Sequence, residues 1–186
     1  MFFRTERLFL RPGWPEDLDD LFEAFNDESI QRTVEVTAFP RTREAVREYL
    51  ERPRDPRYPH FFMYLRGAQG AKLVGGIGLG PYGNDAEVGY WIASAYRGKG
   101  YALEALRAVV RQAWTLGHRR LVARHFIDSD ASVRVLEAAG FQDTGDEQPR
   151  YSEGRGGSAP ARIFVADLEK GHSNFFAAQD EHALSA

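Results

Sequence analysis

Chemistry concentrates in one short stretch, Arg97-Gly98-Lys99-Gly100-Tyr101-Ala102. It follows a strand-like run, Ala86-Glu87-Val88-Gly89-Tyr90-Trp91-Ile92, and opens a helix-like run that reaches about Leu116. A glycine-bearing turn at a helix start leaves backbone N–H groups pointing outward, with the positive end of the helix dipole behind them. With Arg97 and Lys99 alongside, such a turn can hold a pyrophosphate. A plainer alternative stays open, in which Gly98 and Gly100 only cap the helix and the two cations are solvated. Glu87 is the acid on the strand just ahead of the turn. Strand side chains alternate between faces, so it either meets a reacting group or faces solvent. Gly89 in the same strand marks a bulge, a close backbone approach or a packing choice. Ser129 can N-cap a further short helix over 130–139, with Ser132 in its first turn.

Other candidate chemistry is weaker. Gly78-Leu79-Gly80-Pro81-Tyr82-Gly83 formally matches the dinucleotide fingerprint, but that fingerprint must open a helix. Here Pro81 to Asp85 is turn chemistry with a strand after it, which reads as a hairpin. No phosphate loop of the form Gly-x-x-x-x-Gly-Lys-Ser/Thr occurs. The five histidines show no metal-ligand spacing, and no metal is expected. His125 reads as a structural strand histidine or as a residue lining a cleft.

The elements that would position these residues follow from periodicity. Residues 4–11 alternate as one strand with Leu8 and Leu10 on one face. Pro15 begins a helix with Glu16 and Asp17 in its first turn and Leu18, Leu21, Phe22 and Phe25 at helical spacing. Thr42 can N-cap a second helix carrying Val46, Tyr49 and Leu50, and Pro53, Pro56 and Pro59 make the next segment extended. Phe61–Arg66 and Lys72–Leu79 read as strands joined at Gly67–Gly70. Helix residues Leu103, Leu106, Val110 and Ala113 share a face, and Arg119–Ile127 reads as a strand, so residues 86–127 form a strand–helix–strand crossover. Arg162–Leu168 reads as a final strand. Gln148–Pro160, rich in Gly, Ser and Pro, is expected to be a mobile loop.

Composition narrows the class. The chain has 186 residues, 43% of them hydrophobic, enough for a sizeable core and one domain over residues 1–170. Residues 171–186 form a weakly patterned tail, either disordered or docking Phe175 and Phe176 on another subunit. A net charge of −3 argues against a nucleic-acid partner, and the arginines from Arg41 to Arg57 and Arg119-Arg120 read as solvated surface. No run approaches the roughly 18 apolar residues of a membrane span. Met1-Phe2-Phe3-Arg4 lacks a signal-peptide pattern, so a soluble, cytoplasmic protein is expected. The absence of cysteine excludes disulfides, Cys-ligated zinc and a cysteinyl acyl-enzyme. If the chain does transfer an acyl group, the lack of a cysteine nucleophile makes direct attack on a bound thioester the simplest route.

The spacing Arg97-x-x-Gly100-x-Ala102 resembles the acyl-CoA pyrophosphate loop of the GNAT N-acetyltransferase superfamily, commonly written Gln/Arg-x-x-Gly-x-Gly/Ala. Three further blocks are similar and come in family order over about residues 4–168. Thr5-Glu6-Arg7-Leu8-Phe9-Leu10-Arg11-Pro12 resembles the opening strand of the Rim-type subgroup, which acetylates ribosomal-protein N-termini. Glu87-Val88-Gly89-Tyr90-Trp91-Ile92 resembles its fourth strand. Ser132-Val133-Arg134-Val135-Leu136-Glu137-Ala138-Ala139-Gly140-Phe141 resembles its last helix and the Gly-Phe that follows.

The resemblance implies a mixed α/β fold, a twisted and mostly antiparallel sheet splayed between its fourth and fifth strands and flanked by helices. It implies transfer of acetyl from acetyl-CoA to a primary amine, with a homodimer plausible by analogy. Residues Arg97, Gly98, Lys99, Gly100, Tyr101 and Ala102 would hold the pyrophosphate. Backbone groups of Tyr90, Trp91 and Ile92 would pair with the pantetheine arm, one N–H polarising the acetyl carbonyl. A bulge near Gly89 would free those donors, and Glu87 would take the amine proton, directly or through water. Two positions depart from the family. Ser129 stands where an asparagine often touches the cofactor arm, with Ser132 beside it as a second hydroxyl. Leu136 stands where many relatives carry a tyrosine acid, so Tyr90, Tyr101, Ser132 or water supplies that proton, or none is needed. The acceptor stays open between a protein or peptide N-terminus and a small amine. A non-catalytic acyl-CoA-binding regulatory domain and, less favoured, a nucleotide-binding module are the alternatives.

Overall fold

The computed structural model describes residues 1–32, 40–67 and 70–169. Eight strands form one sheet in the order β1-β2-β3-β4-β5-β6-β8-β7. They are β1 (Phe3–Arg4), β2 (Leu8–Arg11), β3 (His60–Gly67), β4 (Gly70–Tyr82), β5 (Asp85–Ile92), β6 (Arg120–Phe126), β7 (Gln142–Ser152) and β8 (Gly157–Asp167). Every neighbouring pair is antiparallel except β5 and β6. The helices are α1 (Leu18–Phe25), α2 (Glu28–Gln31), α3 (Arg43–Glu51), α4 (Tyr101–Thr115) and α5 (Asp130–Ala138).

At β3 the sheet is buried on both faces, which explains the uninterrupted apolar run Phe61-Phe62-Met63-Tyr64. Phe61 and Met63 join the core beneath α4, with Leu8, Leu10, Ala86, Val88, Leu106, Val109 and Val110. Phe62 and Tyr64 point the other way, into the core of α1 and α3, with Leu21, Phe25, Val46 and Trp91. Thr42 caps α3 as expected, its hydroxyl accepting from the Ala45 N–H at 3.1 Å. Near α1, Arg11 and Asp17 form a buried bidentate pair at 2.6 and 2.7 Å. The Arg11 guanidinium lies between the rings of Trp14 and Tyr64, 3.8 and 3.9 Å from their centroids.

Four expectations need correction. Residues 4–11 form two strands, because the Thr5 N–H turns back to the Leu8 carbonyl at 2.9 Å and Phe3 pairs with Leu10. The expected helix from Gly98 begins at Tyr101, after a 3₁₀ turn at Ser94–Tyr96. No register shift occurs at Gly89: β4 and β5 pair continuously from Gly75↔Ile92 to Tyr82↔Asp85. The shift lies between β3 and β4, where Met63 pairs with Gly75 and Tyr64 with Leu73, leaving Val74 as the extra residue.

The fourth correction is the largest. Gln148–Pro160 is no loop; it belongs to the β7–β8 hairpin, closed by a 3₁₀ turn at Glu153–Arg155. Its prolines misled composition, since Pro149 and Pro160 sit opposite each other. The Pro160 carbonyl accepts from the Ile127 N–H at 3.2 Å. In a strand the N and C=O of one residue point the same way, so its nitrogen also faces away from β7 and the ladder with β7 loses nothing. Among the described residues no helix is long and apolar enough to cross a membrane. The tail 171–186, residues 68–69 and most of the Gln31–Phe39 segment lie outside the described residues.

Candidate active site

The strands of the parallel pair meet at one end only. β5 and β6 pair at Ala86↔Leu121 and Glu87↔Val122 and nowhere else. Beyond that point Val88–Ile92 and Ala123–Phe126 separate, giving the sheet a V-shaped split between β5 and β6. This is the splay the sequence places between a fourth and fifth strand, renumbered because β1 and β2 are separate. Gly89 is exposed in the split, and a side chain built there would meet nothing within 4 Å.

The open end of the V faces the start of α4. Gly98 and Gly100 adopt left-handed φ values of 72° and 81°, which L side chains rarely tolerate. Gly100 is the N-cap of α4 and no side chain caps the helix, so its first N–H groups are offered outward. The two cations turn back onto the protein. Arg97 donates from Nε to the Ile92 carbonyl at 3.1 Å and from Nη2 to the carbonyl and hydroxyl of Ser29 at 3.2 and 3.1 Å. Lys99 donates to the Ala95 carbonyl at 3.0 Å and lies over the Tyr96 ring. Tyr101 stacks beneath Arg7, and Ala102 follows in the first helical turn.

Tyr90, Trp91 and Ile92 lie along the diverging part of β5. Trp91 points into the core of α1 and α3, its ring edge-on to Phe25. Tyr90 points to the α4 side, where its hydroxyl reaches the Ser132 carbonyl at 3.5 Å. Burial pushes this phenol up to about 12. Ser129 occupies the N-cap position of α5, yet its hydroxyl pairs with that of Ser132 at 2.9 Å and bonds no backbone N–H. Tyr90, Ser129 and Ser132 are thus brought together where α5 begins. Leu136 is core, 1% exposed.

Glu87 sits where the V closes. Arg124 of β6 grips its carboxylate with Nε on Oε1 at 3.1 Å and Nη2 on Oε2 at 2.7 Å. Arg150 of β7 adds Nη2 at 3.2 Å from Oε1. A carboxylate has about four lone-pair directions; among the described residues two contacts fall on Oε1 and one on Oε2, leaving one direction on Oε2 without a described partner. Neither arginine was singled out in the sequence, though Arg124 interrupts an otherwise apolar strand, Leu121-Val122-Ala123. Arg150 was hidden in the segment read as a loop. His125 is buried and donates from Nδ1 to the Phe126 carbonyl at 2.9 Å. Burial lowers its pKa, and Nε2 has no hydrogen-bond partner. No cluster of metal-ligating side chains occurs among the described residues.

The mouth of the V is bridged. The tip of the β7–β8 hairpin lies on α2, with the Ser152 hydroxyl on the Gln31 carbonyl at 3.1 Å and Arg155 Nε on the Arg32 carbonyl at 2.8 Å. A Cβ at Gly154 would lie 2.5 Å from the Gln31 carbonyl carbon, so the approach requires glycine. Arg155 also holds Asp128, just past β6, through two bonds of 2.8 Å. Since Arg97 ties Ile92 to Ser29 of α2, the two strand ends are linked through Arg97, α2 and Arg155.

A split parallel pair beside an uncapped, glycine-opened helix can admit a long thioester with a phosphate-bearing end. A family model described as an acetyltransferase (GNAT) domain matches residues 7–142. The chain belongs to the GNAT family and is an N-acetyltransferase. It is 32% identical over 139 residues to a probable N-acetyltransferase, YjcK, of Bacillus subtilis, covering 72% of this chain and 74% of that one. Among solved structures, a GNAT-family acetyltransferase from Bacillus anthracis superposes with a TM-score of 0.76 at 23% identity, covering 91% and 99% of the two chains. RimJ of Mycobacterium smegmatis, in complex with CoA-disulfide, gives 0.75 at 21% identity, covering 88% and 83%. At these identities the structural likeness is one of fold.

Proposed function

We propose that the enzyme transfers the acetyl group of acetyl-CoA to a primary amine, and that the preferred amine is a protein or peptide N-terminus. The observation that carries this reading is the split of β5 from β6 after Glu87, opening toward the glycine-set start of α4. The pyrophosphate lies on the N–H groups of Gly98 to Ala102. The backbone dipoles supply most of the attraction, because Arg97 and Lys99 are engaged with carbonyls. Pantetheine runs along Tyr90 to Ile92, with Ile92 contributing without its carbonyl, which Arg97 occupies. Ser129 and Ser132 lie on the opposite arm of the V as hydroxyl partners for the cofactor.

The reaction is direct. The amine nitrogen attacks the acetyl carbon, a backbone N–H of β5 holds the oxyanion, and the carbon–sulfur bond breaks to release CoA thiolate. The amine proton passes through water to Oε2 of Glu87. Such a relay suits an α-amine, which near pKa 7.8 is about 14% neutral at pH 7. A lysine amine near 10.4 is only about 0.04% neutral, and deprotonating it costs about 4.6 kcal/mol. The resemblance of Thr5–Pro12 to the Rim-type opening strand supports the same acceptor class.

An acceptor screen with acetyl-CoA, read by thiol release, tests the proposal. Peptides with free N-termini should outpace the same peptides N-terminally blocked but carrying lysine. Spermidine outpacing every peptide would overturn the acceptor class, and no release with any amine would overturn transfer itself.

A further inference from the structure

Glu104 is an acid in the first turn of α4, beside the surface on which the proposed pyrophosphate would lie. A carboxylate there favours the helix but repels a bound anion. Among the described residues, the donors it receives all come from one short stretch near the start of the chain. Thr5 donates its hydroxyl to Oε1 at 2.5 Å, Arg7 its backbone N–H to Oε1 at 2.7 Å, and Arg7 Nε reaches Oε2 at 2.7 Å. Burial alone would raise this carboxyl, but those bonds outweigh it and hold it below its ordinary value, so it is charged at neutral pH.

Arg7 also reaches the loop itself. Its Nη1 donates to the Lys99 carbonyl at 2.9 Å, and its guanidinium lies over the Tyr101 ring at 4.7 Å. A Cβ on Gly100 would sit 3.3 Å from its Nη2. One side chain therefore touches residues 99, 101 and 104 and passes beside 100, the residues that set the left-handed turn and the first helical turn. We infer that Arg7 is a positioning residue of the cofactor site: it neutralises Glu104 and holds the Lys99–Tyr101 turn so that the start of α4 accepts a pyrophosphate. This rests on the pyrophosphate assignment made above. It also gives a physical reason for Thr5-Glu6-Arg7 to precede β2, since β1 and β2 separate there to send three donors to α4.

Calorimetric titration of four proteins with CoA and with acetyl-pantetheine, which lacks the pyrophosphate, tests it. Arg7→Ala should weaken CoA binding about five- to tenfold at low salt and acetyl-pantetheine less than about twofold, the gap narrowing as salt screens the charges. Adding Glu104→Gln to Arg7→Ala should restore CoA binding to within about threefold of wild type. Glu104→Gln alone, which keeps Arg7, should bind CoA as tightly as wild type or up to about fourfold more tightly. Equal CoA affinity in wild type and Arg7→Ala, equal losses for both ligands, no recovery in the double variant, or weaker CoA binding by Glu104→Gln would each overturn the inference. A Gly100→Val control separates the two readings. If it weakens CoA binding while the Arg7 variants do not, Arg7 alone is misassigned. If it does not, and wild type binds both ligands alike, the pyrophosphate assignment falls and this inference with it.

Discussion

Replacing Glu87 with glutamine keeps the side-chain volume and removes one negative charge from between two guanidiniums. Arg124 and Arg150 are 15% and 10% exposed, so their pairing with Glu87 is well shielded. Losing it should cost about 1–3 kcal/mol, below the roughly 3–5 of a fully buried pair. The melting temperature should then fall by roughly 2–12 °C, leaving a folded enzyme at assay temperature. The rate effect has a calculable ceiling where Glu87 only removes the amine proton before attack. For an α-amine near pKa 7.8 the loss is at most about sevenfold at pH 7 and about 1.1-fold at pH 9. For a lysine amine near 10.4 the same ceiling is about 2,500-fold at pH 7 and about 25-fold at pH 9. Measuring kcat/KM by thiol release from pH 6 to 9, with both amine types, reads base function and acceptor class together. Full activity of Glu87→Gln across that range would remove Glu87 as the base. A loss independent of pH would assign it instead to spacing the two arginines.

Three further outcomes are expected. Asp17→Asn should destabilise the fold by about 3 kcal/mol, read by urea unfolding, because Arg11 would stay buried without its countercharge. Burial works to raise the Asp17 carboxyl, but the bonds from Arg11 and the Trp14 N–H outweigh it and hold it below the usual range. Its folded pKa is depressed, so its contribution should be whole above the unfolded value of about 3.9 and be lost as pH falls through the lower folded value. Gly154→Val should push the hairpin tip off α2, costing about 1–3 kcal/mol by thermal melting; an unchanged melting temperature would mean the tip is not seated there. Arg155→Met should raise the acceptor KM while leaving CoA affinity within about twofold, and a loss of CoA affinity instead would tie the hairpin to the cofactor.

Much of this arrangement is legible in the sequence because local rules and long-range pairing agree there. The Gly98 and Gly100 turn, the amphipathic stripe of α4 and the Thr42 cap are local decisions, and each stands where spacing puts it. The alternation of Leu8 and Leu10 is equally plain, but not the break at Thr5, where the turn back to Leu8 is joined by a contact with Glu104 that spacing does not reveal. The β7–β8 hairpin was illegible for a similar reason. Eight consecutive β7 residues, Gln142–Pro149, are exposed, so no apolar alternation announces a strand. What holds the hairpin is distant: Arg150 on Glu87, Ser152 on Gln31 and Arg155 on Asp128. Glu87 itself stood out by position, whereas its two arginine partners depend on a parallel register and a hairpin that spacing does not reveal.

The links through Arg97, α2 and Arg155 turn the split between β5 and β6 from a notch into a ring. A ring has two faces and no side entrance, so a molecule seated on one face leaves the other face open. Its circumference is unevenly fastened. At the closed end the sheet ladder holds it through paired backbone groups, which salt barely touches. At the other end the fastening is guanidinium to carbonyl and, between Arg155 and the largely exposed Asp128, charge to charge. Ionic strength therefore acts on one arc of the circumference and spares the rest.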